Sequence, residues 1–189
     1  CEDSLKRLGT DYIDLYSLHY RNPSIPEEET ARAFDKLLSS GKIRYTGVCN
    51  TYTPSIAGMK VEAVQVEYNL FDRSAEKILP DCSENGIALL AYSPIRDYHS
   101  LNPDGMVWLA DLERERTLSQ KILNWLISHQ SVIALTSSSN IDHIKKNAEA
   151  SDFVLSEEDI KTIDELFKPD VTNMPLERID ITLTADKYP

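Results

Sequence analysis

Short runs of β-branched and aliphatic residues alternate along the chain with longer stretches whose apolar positions fall three and four apart. The run DYIDLYSLH at 11–19, with Ile13, Leu15 and Leu18 among aromatic residues, predicts a strand entered through the turn Leu8-Gly9-Thr10. From Glu27 onward, Ala31, Phe34, Leu37 and Leu38 trace one helical stripe, with acidic residues at its start and Gly41 just past its end. IRYTGV at 43–48 and VEAVQVEYN at 61–69 predict two more strands. A helix over 75–84, stopped by Asn85-Gly86, precedes the apolar run IALLAYS from Ile87. Leu118, Ile122, Trp125 and Leu126 form another stripe, followed by SVIAL at 131–135. Two helices close the pattern, one over 140–147 and one opening at Ser156-Glu157-Glu158-Asp159, where a hydroxyl and an acidic third residue are placed to cap free N–H groups.

Alternation of mostly continuous apolar strands with helices indicates a parallel sheet covered by helices. Five strands are counted, beginning at about Tyr12, Ile43, Val61, Ile87 and Ser131. A (β/α)8 barrel needs eight strands and about 250 residues. An open doubly wound sheet can be built from five, but its usual GxGxxG phosphate turn after the first strand is missing. Periodicity alone leaves both architectures open. Two stretches fit neither comfortably. Between Cys49 and Lys60, Pro54 and Gly58 disfavour a helix where a parallel crossover normally needs about a dozen residues or more. Between Ile95 and Thr117 the chain is expected to turn at Asn102-Pro103-Asp104-Gly105 and become regular only later, as a functional loop would.

Composition narrows the function classes. The chain has 189 residues, 41% of them hydrophobic, which suits one globular unit rather than a disordered or fibrous chain. With 31 acidic against 20 basic residues the net charge is −11, so nucleic acid is not an expected partner. No apolar run reaches the roughly 20 residues of a membrane span, and CEDSLKRLGT is not a signal peptide. Cys1, Cys49 and Cys82 form no CxxC, and His19, His99, His129 and His143 show no ligand spacing. A cytoplasmic protein without a metal site is the expectation.

Several blocks carry a specific resemblance. RLGTDYIDLYSLH at 7–19, GKIRYTGVCN at 41–50, QVEYNLFDR at 65–73 and AYSP at 91–94 resemble, in that order, the central and C-terminal segments of the aldo-keto reductases. SSSNIDHIKKN at 137–147 is similar to that family's cofactor-binding segment. The resemblance implies an α/β fold, the (β/α)8 TIM barrel, represented by about strands four to eight, with three further strands expected upstream of Cys1. It divides the chain into an incomplete barrel at 1–170 and a tail at 171–189 of unassigned role.

By the same resemblance His19 is the active-site histidine, whose N–H donates to a carbonyl oxygen as negative charge develops there. The family's tyrosine, lysine and aspartate belong to segments before the fourth strand, so none is assigned in this chain. Asn50 and Gln65 match contacts to the nicotinamide carboxamide, which an amide side chain can meet with both a donor and an acceptor. Cys49 stands where serine is common. Tyr92 matches the aromatic that stacks on the nicotinamide ring, and Ser93 is placed to reach the pyrophosphate. Ser138, Asn140 and Asn147 fall on positions that hold the adenosine half, with free N–H groups of a helix start expected to face a phosphate. Ser137 and His143 stand where NADP-preferring members often carry lysine and arginine, which weakens the expected grip on a 2′-phosphate. The implied activity is NADP(H)-dependent reduction of an aldehyde or ketone, a small-molecule carbonyl substrate, with NAD(H) as the alternative cofactor. The competing expectation is an inactive nicotinamide-binding barrel with a regulatory or redox-sensing role.

Overall fold

Five parallel strands line up in the order in which the chain makes them. In the computed structural model, which describes residues 1–96 and 102–168, they are β1 (Ile13–Leu18), β2 (Ile43–Cys49), β5 (Ala63–Glu67), β6 (Ala88–Tyr92) and β7 (Val132–Ala134). Two further short strands, β3 (Ser55–Ile56) and β4 (Met59–Lys60), form a separate antiparallel pair. The helices are α1 (Glu2–Leu8), α2 (Glu27–Ser39), α3 (Leu79–Asn85), α4 (Pro103–Asp111), α5 (Leu118–Ile127), α6 (Ile141–Ala148) and α7 (Glu157–Leu166). The tail expected at 171–189 lies outside the described residues, as do residues 97–101 of the long connection.

The order β1-β2-β5-β6-β7 never reverses, so the sheet is wound in one direction, as in a barrel, and lacks the switch point of a doubly wound fold. Register fixes which side chains share a face. Tyr16 pairs with Thr46, Leu18 with Val48, Val48 with Val64, Val64 with Leu89 and Leu89 with Val132. This face forms the core: Val48, Val64, Val66, Leu89 and Val132 pack with Phe34 of α2, Cys82 of α3, Ile122, Trp125 and Leu126 of α5, and Ile163 of α7. Each fully buried aliphatic or aromatic side chain contributes about 2–3 kcal/mol of transfer free energy. The alternate residues, Leu15 with Tyr45, Cys49 with Gln65, Gln65 with Leu90, and Leu90 with Ile133, share the opposite face. There Tyr45 and Ile133 are 54% and 51% exposed. Gly47 lies on that face too, where a Cβ would collide with Ser17 Oγ on β1, so the position favours glycine.

The stretch after β2 that disfavours a helix is a hairpin. Ala57 and Gly58 take positive φ angles of 48° and 82°, the turn that joins two short antiparallel strands. Its Ala57 N–H donates to Glu27 Oε2 at 3.1 Å, and Arg21, ion-paired with Glu27, donates to Ser55 O at 2.7 Å. Ile56 is thereby buried in the core, the task a crossover helix would otherwise perform. The expected turn at Asn102-Pro103-Asp104-Gly105 is instead the start of α4. Asn102 Oδ1 accepts from Asp104 N at 3.1 Å and Pro103 sits in the first turn, where its missing N–H costs nothing. The helix expected over 75–84 is a 3-10 segment, Ser74–Ile78, running into α3.

Polar groups buried among the helices lock their arrangement. Arg73 pairs with Glu76 and with Asp164 of α7 at 2.8 Å, while Asp164 also accepts from Trp125 Nε1 at 3.0 Å. Lys121, 1% exposed, donates to Leu109 O and Ala110 O at 2.9 Å and so satisfies the last carbonyls of α4. Asn124 donates to Ala150 O at 2.8 Å and Phe153 O at 2.6 Å and accepts from Leu155 N at 3.1 Å. Asn124→Ala leaves three buried backbone groups without partners, and we expect it to cost about 3 kcal/mol, measured as a lower denaturant midpoint with an unchanged slope.

Candidate functional site

In a sequentially wound parallel sheet all strand carboxyl ends reach one rim, so residues just past β1, β2, β5 and β6 meet there. His19 follows β1 and Asn50 follows β2, while Gln65 lies on β5, Tyr92 ends β6 and Ser93 follows it. Asn50 and Ser93 both have left-handed backbones, with φ of 56° and 51°, and each turns the chain immediately past its strand. Non-glycine residues in this region are uncommon and cluster where function holds them.

Asn50 connects the strands. Its backbone N–H donates to Gln65 O at 2.9 Å, extending the β2–β5 ladder by one residue beyond the Cys49–Gln65 pair. Its side-chain Nδ2 donates to His19 O at 3.0 Å, and its Oδ1 accepts from the Tyr92 hydroxyl at 3.0 Å. One amide therefore joins the ends of β1 and β6 through β2. It keeps one N–H and one carbonyl lone pair uncommitted by these bonds. That remaining pair is the complement of a primary carboxamide, so the residues present fit a nicotinamide. Burial, followed by the charge of Glu67, pushes the Tyr92 phenol above its ordinary pKa and keeps its proton in place. The imidazole of His19 is exposed and stands 4.3 Å, centroid to centroid, from the ring of Tyr20.

Glu67 and Asn69 also belong to this rim, with no signal of such a role in the sequence. Glu67 pairs with Tyr92 in the β5–β6 register and forms an ion pair with Arg96 at 3.4 Å. Asn69, 1% exposed, donates to Glu67 Oε1 at 3.3 Å and to Ser93 O at 3.1 Å. Its Oδ1 accepts from the backbone N–H groups of Phe71 and Asp72 at 2.9 and 2.7 Å. The buried amide thus ties the loop after β5 to the turn that carries Ser93. The Asn-x-Phe-Asp spacing is a visible Asx-turn pattern, whereas its reach to Ser93 depends on the fold.

Cys49 is 7% exposed and lies beside Gln65. Burial raises the thiol pKa, so at a given pH less of it is thiolate.

The second group of expected site residues lies at α6. Ser138 Oγ accepts from Asn140 N at 3.1 Å, and Asn140 Oδ1 accepts from Asp142 N at 2.8 Å and His143 N at 3.4 Å. The expectation of free N–H groups at this helix start is corrected in part, because the Asn140 side chain already takes two of them. His143 is exposed and Asn147 half-buried, and α6 contains no buried residue. Among the described residues no cluster of three His, Cys, Asp or Glu side chains forms a metal site, and no helix is long and apolar enough to cross a membrane.

The Aldo/keto reductase family matches this chain over residues 1–97 and 108–168. Methylglyoxal reductase YeaE of Escherichia coli is 34% identical over 180 residues, covering 88% of this chain and 63% of the relative. Glyoxal reductase of Bacillus subtilis is 35% identical over 174 residues, covering 88% of this chain and 61% of the relative. A solved structure of an aldo/keto reductase from Klebsiella pneumoniae, in complex with NADP and acetate, superposes with a TM-score of 0.79 at 36% identity, covering 94% of this chain and 65% of the other. The chain thus spans a little under two thirds of the length of these relatives.

The burial of the thiols is open to a direct check. At neutral pH we expect a maleimide to modify Cys1 readily and to reach Cys49 and Cys82 only after denaturant is added, followed by mass spectrometry. Labelling of Cys49 at the rate of Cys1 would contradict the burial described above.

Proposed function

The chain belongs to the aldo/keto reductase family, and from that premise we propose that it carries the cofactor side of a nicotinamide-dependent oxidoreductase that reduces an aldehyde or ketone to the alcohol with NADP(H). One observation carries this reading: the Asn50 amide, bonded to His19 O and the Tyr92 hydroxyl, retains a donor and an acceptor at the rim where Gln65 also lies. When bound, a reduced nicotinamide supplies the hydride that a carbonyl carbon accepts.

The chain's own residues bind and orient. Asn50 and Gln65 hold the carboxamide and so fix which face of the ring meets the substrate. Tyr92 supplies a flat apolar platform against the other face. The His19 imidazole, at the end of β1, donates to the carbonyl oxygen and favours the charge that builds there. Cys49 backs Gln65 as a small buried neighbour, and Ser93 contacts the pyrophosphate. Ser138, Asn140, His143 and Asn147 receive the adenosine end, where the remaining backbone N–H at the start of α6 and the cations Lys145 and Lys146 favour a phosphate. The NADP in the Klebsiella pneumoniae structure supports the choice of cofactor. The methylglyoxal and glyoxal reductases support a small carbonyl compound as substrate.

Titration of the full chain with NADPH and with NADH, followed by cofactor fluorescence, tests this reading. We expect saturable binding of both, with NADPH tighter. No saturable change with either cofactor would refute the reading. Ser137 is exposed and carries no charge, so the variant Ser137→Lys adds a cation beside the proposed 2′-phosphate site. It is expected to tighten NADPH by roughly tenfold, about the value of one charge-assisted contact, with NADH unchanged in the same titration.

A further inference from the structure

We propose that the Tyr92 hydroxyl is a positioning group, distinct from the stacking surface of its ring, that holds the Asn50 amide in the orientation needed to meet a carboxamide. This rests on the cofactor reading above and adds to it a role for one atom. A stacking platform needs a ring and no hydroxyl, yet the Tyr92 hydroxyl reaches across from β6 to within 3.0 Å of Asn50 Oδ1.

The two ends of the amide are restrained differently. His19 O is an acceptor only, so the group facing it at 3.0 Å has to be Nδ2, and a flipped amide would set two oxygens against each other. That contact decides which end is which, but a single hydrogen bond leaves the amide plane free to swing about it. The phenol closes the second end. Because Asn50 Oδ1 cannot donate, the hydroxyl must, and a phenol kept protonated by burial is suited to do so. With the Asn50 backbone fixed by its bond to Gln65 O, the amide plane is held at three points, and its second N–H and second lone pair are aimed together. The amide orientation thus comes from His19 just past β1 and from groups on β5 and β6, none of which is adjacent to Asn50 in the sequence.

A double-mutant cycle on the full chain tests this, with Tyr92→Phe and Asn50→Ala made singly and together. The readouts are affinity for NADPH and for 2′,5′-ADP, which lacks the nicotinamide. Tyr92→Phe keeps the ring and loses one neutral hydrogen bond, so NADPH affinity should fall by about three- to tenfold while 2′,5′-ADP affinity is unchanged. In the Asn50→Ala background the same substitution should have no effect on NADPH, because the hydroxyl then has no amide to hold. An equal loss in both backgrounds would show that the hydroxyl acts independently of Asn50 and would overturn the proposal. A parallel loss of 2′,5′-ADP affinity would assign the change to general damage and overturn it as well. Saturable NADPH binding by the unaltered chain, with Tyr92→Phe indistinguishable from it, would defeat the positioning role and leave the cofactor reading standing. Absence of NADPH binding by the unaltered chain would remove both.

Discussion

Helices packed against one face of a parallel sheet decide almost everything else in this molecule. Val48, Val64, Val66, Leu89 and Val132 sit on the covered face and form the core with α2, α3, α5 and α7. The alternate residues of the same strands, among them Gln65, Leu90 and Ile133, are not part of that core. The core residues and the polar strand residues are thereby separated by the pleat. The strands can carry polar side chains such as Gln65 and Glu67 without burying them in the helical core, because successive residues face opposite ways. Sequential winding adds the second half of the constraint, since it brings the carboxyl end of every strand to one rim. His19, Asn50, Tyr92 and Ser93 are far apart in the sequence and come together for that reason.

The rim is held by amides. Asn50 joins the ends of β1, β5 and β6, and Asn69 joins the loop after β5 to the turn after β6. Asparagine suits both places for the same reasons. It tolerates the left-handed backbone that Asn50 adopts, and it offers donors and an acceptor on a short, stiff side chain. Asn69 has its amide capacity filled by Glu67, Ser93, Phe71 and Asp72, so it is a fixed strut. Asn50, by contrast, keeps one N–H and one lone pair of its amide beyond its bonds to His19 O and the Tyr92 hydroxyl. At α6 the Asn140 oxygen is already occupied with two helix N–H groups, as an N-cap.

Most of the sheet was legible in the sequence because β-branched runs such as IRYTGV and continuous apolar runs such as IALLAYS state their own conformation. The order of the strands was legible only through the family resemblance, since periodicity is the same in a barrel and in a doubly wound sheet. Asn102-Pro103-Asp104-Gly105 shows how one pattern serves two ends: asparagine and proline mark a turn, and equally an N-cap followed by a first helical residue. Gly105 inside that helix is explained only by a distant partner, because a Cβ there would stand 3.0 Å from the ring of Phe167. Pro54 and Gly58 rightly disfavoured a helix after β2, but the hairpin in its place depends on Arg21 and Glu27, some thirty residues away. At the rim, His19, Asn50, Gln65, Tyr92 and Ser93 are singled out only by the family resemblance of the segments that carry them. Glu67 and Asn69 are not, since their partners Arg96 and Ser93 lie on another strand's loop.

The central claim, that the rim amides form the carboxamide side of a nicotinamide site, has a direct readout in the side-chain NH2 resonances of Asn50 and Gln65. In a 15N-labelled sample titrated with NADPH, both pairs are predicted to shift saturably and together, whereas the buried NH2 group of Asn124, bonded to Ala150 O and Phe153 O among the helices, stays where it is. Saturable NADPH binding that leaves the Asn50 and Gln65 resonances unmoved would contradict the account.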